Sequence, residues 1–162
     1  MNGYIALVLL CILPFLLVAF KRVNVIFVYV SIVAGNLLVG ALGDDAALIA
    51  SGMFSGWRYA ATFVQLVMLL LPVALSVVFS KGTVHGKMFV LQILPKFVCA
   101  LMLFTFAVPL LPSDVQYSIF TLPFGDVLRR SQDIIVGLAT ILVLMVMWRG
   151  YRSPQHASKK HH

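Results

Sequence analysis

Long apolar runs decide what this chain can fold into. Five stretches, residues 4–20, 23–42, 59–79, 96–111 and 132–148, are almost continuously hydrophobic. A helix that crosses a bilayer needs about 20 mostly apolar residues, within a range of about 17–25. Residues of the chain are 62% hydrophobic and 10% charged, whereas a soluble domain is roughly 25% charged. A membrane β-barrel is excluded by pattern, because its strands of about ten residues alternate apolar and polar side chains. The sequence therefore predicts an all-α, polytopic helical membrane bundle of five transmembrane helices with short interfacial helices. It forms one domain over residues 1–148, followed by a basic cytoplasmic tail at 149–162.

Charge sets the threading. No charge precedes the first run, and Lys21-Arg22 follow it directly, the reverse of the order in a secretory signal. The first run is therefore read as a retained helix with its N-terminus outside. Only Lys21 and Arg22 separate it from the second, which makes the pair an antiparallel hairpin with a basic tip. Five spans then place Lys21, Arg22, Lys81, Lys87, Lys96, Arg149, Arg152, Lys159 and Lys160 inside, against Arg58, Arg129 and Arg130 outside. That asymmetry satisfies the positive-inside rule. The net charge of +7 thus describes topology, and nucleic acid is not an expected partner.

Between the second and third runs lies GDDAALIASGMFSGWR, residues 43–58. It is too short and too rich in glycine to span, yet too apolar for an ordinary loop. Asp44 or Asp45 is a candidate cap for a short helix of its own, since a carboxylate there accepts free backbone N–H groups. Such a helix lies on the surface or dips into the bilayer. Trp57 and Tyr59 read as interfacial aromatics, and Pro72 as a bend in the third span.

Few residues here point to chemistry. GTVHGKM, 82–88, lacks the spacing of a phosphate-binding loop and carries Met88 where a hydroxyl would hold magnesium. His85 stands apart from His156, His161 and His162, and the tail offers no fixed geometry for a metal. Cys11 and Cys99 behave as small hydrophobes inside apolar runs. There is no glutamate, and no aspartate deep in a span, so proton and ion chemistry at depth has no evident carrier. No catalytic residue, metal site or cofactor is expected, and the chain is read as a non-enzyme.

The residues singled out serve packing and lipid contact. Ser31 and Gly35 form a small-x-x-x-small step in the second span, and Asn36 and Gln65 are amides that seek interhelical partners. Lys81, Lys87, Arg129 and Arg130 are candidate contacts for lipid head groups. On a helix, Arg129 and Arg130 both fall within reach of Asp133.

Lys96 allows two readings. On one straight helix from residue 88 it would sit about 12 Å deep at ~1.5 Å per residue, a buried charge with every aspartate assigned to the other side. Alternatively Pro95 starts the helix, and Lys96 snorkels to the head groups beside Lys81 and Lys87. Partner availability favours the boundary reading.

AFKR at 19–22, the glycine-containing second span, the third span, the basic inner turn and the fourth span form a recognisable order. Over residues 4–111 this layout resembles the colicin V production protein family. That family often has Arg-Gly after the first span and Asp-Arg before the fourth, where this chain has Lys21-Arg22 and Leu94-Pro95-Lys96, and a fifth span is extra. The resemblance implies a small bacterial inner-membrane protein linked to export or envelope processes. The function expected is a scaffold, assembly or secretion accessory. Its partners are the lipid bilayer and other membrane proteins or further copies of itself. The alternative is a subunit of an oligomeric channel or transporter.

Overall fold

Asn24 opens the first helix by capping it. Its backbone is extended (φ −72°, ψ 126°), and its Oδ1 accepts the N–H of Ile26 at 3.1 Å, which satisfies one of the free donors of the first turn. This is a computed structural model, and it describes residues 23–80, 93–121, 127 and 130–152, the last three by backbone alone. The expected span at 4–20 lies outside the described residues, as do Lys81, Lys87, Arg129 and the tail beyond Arg152.

Every regular element among the described residues is helical. Helix α1 is Val25–Met53, α2 Ala60–Phe79, α3 Ile93–Ala107, α4 Ser113–Phe120 and α5 Gln132–Arg152. A 3-10 turn, Val108–Leu110, prolongs α3. Four of these segments, Val25–Met53, Ala60–Phe79, Ile93–Leu110 and Gln132–Arg149, are long and apolar enough to cross a membrane.

α1 corrects the expectation of two elements. Residues 23–42 and a separate short helix in 43–58 were expected, but one helix of 29 residues runs through Gly43, Asp44 and Asp45. Neither aspartate caps a helix. Packing overrides the weak local propensity of Gly40 and Gly43, because α2 lies against this stretch and buries Gly43. The helix ends at Met53, where the N–H of Phe54 returns to the carbonyl of Ala50 at 2.9 Å. At ~1.5 Å per residue its 29 residues reach about 43 Å, well beyond a hydrocarbon core of about 30 Å.

α2 matches the third expected span to within one residue, with Pro72 inside it. α3 starts no later than Ile93, so Pro95 lies within the helix instead of opening it. α5 begins where expected, at Gln132, and continues through Arg152. Residues 149–152 therefore extend a helix and do not belong to an irregular tail.

α1 and α2 form an antiparallel hairpin, and α3 and α5 pack beside α1. The contact that sets the hairpin is at Gly35. A Cβ there would meet the backbone oxygen of Leu69 at 2.4 Å, so the two backbones approach as closely as only glycine permits. α3 is the helix the others enclose: 61% of its membrane-length segment is buried, against 22%, 17% and 17% in the other three. Val25, Val28, Ile32, Leu69, Cys99, Met102 and Ala107 form the main core. The outer faces of α1, α2 and α5 expose Phe27, Leu37, Leu71, Phe79, Leu138 and Met145, an arrangement that suits lipid and not water.

The Gly35 contact yields a test. Gly35→Leu should destabilise the bundle by about 1–3 kcal/mol, the usual penalty of overpacking, in a reversible unfolding titration in mixed micelles. Gly40→Leu should be near neutral, since a Cβ at Gly40 meets nothing within 4 Å.

Candidate functional site

Polar side chains in the bundle are used to tie helices together. Gln65, half-buried on α2, donates from Nε2 to the carbonyl of Gly43 on α1 at 3.3 Å. The bare backbone of Gly43 leaves that carbonyl open to the amide. On the other side of α1, the Tyr29 hydroxyl meets Thr140 Oγ1 of α5 at 2.7 Å. Thr140 Oγ1 also donates to the carbonyl of Val136 at 2.8 Å. A threonine hydroxyl has one proton, so Tyr29 is the donor in the interhelical bond. α1 is thus tied to α2 by an amide and to α5 by a phenol.

The expected packing residues divide in two. Gly35 and Gln65 both lie at the α1–α2 contact. Ser31 is half-buried, but its hydroxyl donates to the carbonyl of Phe27 in its own helix at 2.8 Å. Asn36 is exposed and, among the described residues, makes no interhelical hydrogen bond: one residue from Gly35 turns a side chain about 100° around a helix of 3.6 residues per turn. Asn36 and Gln65 share a depth in the sequence but not a face in the structure.

Lys96 departs from the boundary reading. It is 1% exposed and ranks among the largest fully buried side chains. α3 already extends ahead of Pro95, so Lys96 is carried on the enclosed helix and its side chain is covered by protein. Of the other lipid candidates, Arg130 is exposed and makes no ion pair with Asp133. Lys81, Lys87 and Arg129 lie outside the described residues.

One end of the bundle carries a polar and aromatic cluster. Arg58, in the turn after α1, pairs with Asp114 of α4 at 3.5 Å and lies 5.8 Å from the ring centroid of Tyr59. Trp57 packs edge-on to Phe54 at 6.3 Å and against Phe63 at 5.1 Å. The amide of Gln116 donates to the carbonyls of Pro109 and Leu111, at 3.0 and 2.7 Å, and so satisfies acceptors left at the end of α3. Ile119 of α4 inserts between Phe104 and Val108. An ion pair with side chains 76% and 67% exposed contributes little energy. Its value is positional: it fixes the α1–α2 turn and α4 at the same end.

These groups are arranged to hold helices together. Among the described residues no three His, Cys, Asp or Glu side chains converge. Sequence reasoning missed Tyr29, Thr140, Arg58 and Asp114. Tyr29 carried a signal, since a tyrosine within a span needs a partner for its hydroxyl, but nothing in the sequence pointed to residue 140.

A double-mutant cycle of Tyr29→Phe and Thr140→Val should give a coupling energy near 0.6 kcal/mol and no more than about 1.7 kcal/mol, the range for such bonds in membranes, measured by unfolding in micelles. Comparison of the chain with family models, curated proteins and solved structures found no match.

Proposed function

We propose that this chain is a non-catalytic subunit of a membrane assembly, a scaffold or a secretion and envelope accessory. We infer that it resides in the bacterial cytoplasmic membrane with the Arg58–Asp114 end outside. The observation that carries this reading is the length of α1. Asp44 stands nine residues beyond Gly35, and Ala60 nine residues before Leu69, the two residues in contact. At ~1.5 Å per residue, Asp44 and the first residue of α2 are level, both about 14 Å from the crossing. α2, with 20 residues, matches the ~30 Å hydrocarbon core. The carboxylates of Asp44 and Asp45 then mark the membrane edge, and residues 46–53 rise about 12 Å past it at ~1.5 Å per residue.

That projecting tip is apolar. Leu48, Ile49, Met53 and Phe54 are 71%, 63%, 74% and 52% exposed. Beyond the lipid, a contiguous exposed apolar surface is a protein-binding surface, and an accessory subunit needs one. The layout shared with the colicin V production protein family points to the same envelope setting.

The test places a photo-crosslinking amino acid at Leu48 or Met53 in cells, with Ile141 on the lipid-facing side of α5 as control. The reading expects protein adducts from the tip and lipid adducts from Ile141. Lipid adducts alone from Leu48 and Met53 would contradict it.

A second reading, a subunit of an oligomeric channel or transporter, draws on the burial of Lys96. Ionisable side chains held inside a membrane bundle are most often parts of ion or proton paths. Purified protein in liposomes separates the two readings: a channel subunit conducts, and Lys96→Met changes the flux at least severalfold while insertion persists. An assembly subunit shows no flux in either form.

A further inference from the structure

At the bundle end opposite the Arg58–Asp114 pair, α3 and α5 line a groove of about 180 Å³. Leu94 and Pro95 form one wall, and Leu142, Met145, Val146 and Arg149 form the other. The α5 residues recur at i, i+3, i+4 and i+7, one continuous stripe of a helix. Five of the six lining residues are apolar, and the single charge stands at the end of the stripe.

Arg149 is exposed, and no carboxylate of the described residues reaches it. Asp133, sixteen residues earlier on α5, is about 24 Å away along the axis at ~1.5 Å per residue. Asp114 is held by Arg58 at the other end, and Asp44 and Asp45 belong to that end also. A cation three residues before the last helical position suits the carbonyl end of α5, but the helix dipole does not account for an apolar groove running up to it. Trp148, 62% exposed beside Arg149, is the side chain expected at the level of lipid head groups.

We propose that this groove is a binding site for one anionic glycerophospholipid. An acyl chain lies along Leu142, Met145 and Val146 and against Leu94 and Pro95. The phosphate is held by the guanidinium of Arg149, whose planar fork suits phosphate oxygens. The site is independent of the protein partner that the α1 tip engages.

Native mass spectrometry of the full chain released from micelles, with added phosphatidylglycerol or phosphatidylcholine, tests the assignment. Wild type should retain phosphatidylglycerol in preference to phosphatidylcholine. Arg149→Gln should lower phosphatidylglycerol retention about five-fold, the effect of one basic side chain on an anionic lipid, and Arg149→Lys should keep the preference. Leu142→Trp, which fills the groove and leaves the charge, should lower retention of both lipids. Undiminished phosphatidylglycerol binding by Arg149→Gln or by Leu142→Trp would overturn the proposal. Equal retention of the two lipids by wild type would also overturn it, because it would mark an unselective lipid annulus. Competition by soluble glycerol phosphate as effective as by lipid would assign the arginine to free phosphate instead.

Discussion

The approach of Gly35 to the backbone of Leu69 governs the rest of the molecule. In lipid there is no hydrophobic gain from pressing two apolar helices together, so association rests on close packing and a few hydrogen bonds. A glycine whose missing Cβ would fall 2.4 Å from a carbonyl oxygen brings two backbones into contact over a small area. Once that point is fixed, the register of α1 against α2 is fixed too. Gln65 is then within reach of the open carbonyl of Gly43, and the two aspartates come level with the first turn of α2.

From that register follows the shape of the ends. α1 outlasts α2 by more than two turns, so its last residues extend past the first turn of α2. The chain must return from Met53 to Ala60, and the edge-on and tilted rings of Phe54, Trp57 and Phe63 close this descent. α4 is drawn to the same end by Ile119 beneath and Asp114 beside it. At the opposite end α3 and α5 line a groove, and among the described residues Arg149 there has no carboxylate partner. The two ends thus offer different surfaces: an apolar tip with aromatic support, and an apolar groove that ends in a cation.

Much of this was legible in the sequence, for a reason that is specific to membranes. A backbone that must satisfy its own hydrogen bonds in lipid has few alternatives to the helix, so apolar runs at 59–79 and 132–148 located α2 and the start of α5 closely. Gly35 was legible because small residues at helical spacing have a single strong use in this solvent. What failed was punctuation. Gly43-Asp44-Asp45 reads locally as a break, yet α2 holds the helix through it. Pro95 reads as a start, yet it lies inside α3. With that second misreading went the expectation of an outward-reaching Lys96, whose side chain is instead covered by protein, at 1% exposure. Partner choice was illegible throughout. Tyr29 with Thr140 and Arg58 with Asp114 join residues 111 and 56 positions apart, and only the packed bundle brings them together. Asn36 shows the converse, a polar residue whose face could not be read from its depth.

The central claim is that α1 is one helix set by Gly35, with its acidic pair at the membrane edge and its apolar tip beyond. Spin labels placed singly at the exposed positions Leu37, Asp45, Met53 and Tyr59 in reconstituted protein test it most directly, through the ratio of oxygen to water-soluble nickel accessibility, which reports depth. The account predicts a label at Leu37 deep in the hydrocarbon, labels at Asp45 and Tyr59 at equal depth near the head groups, and a label at Met53 outside the bilayer. A label at Met53 buried as deeply as one at Leu37, with Asp45 the outermost of the four, would mean a re-entrant segment and would contradict it.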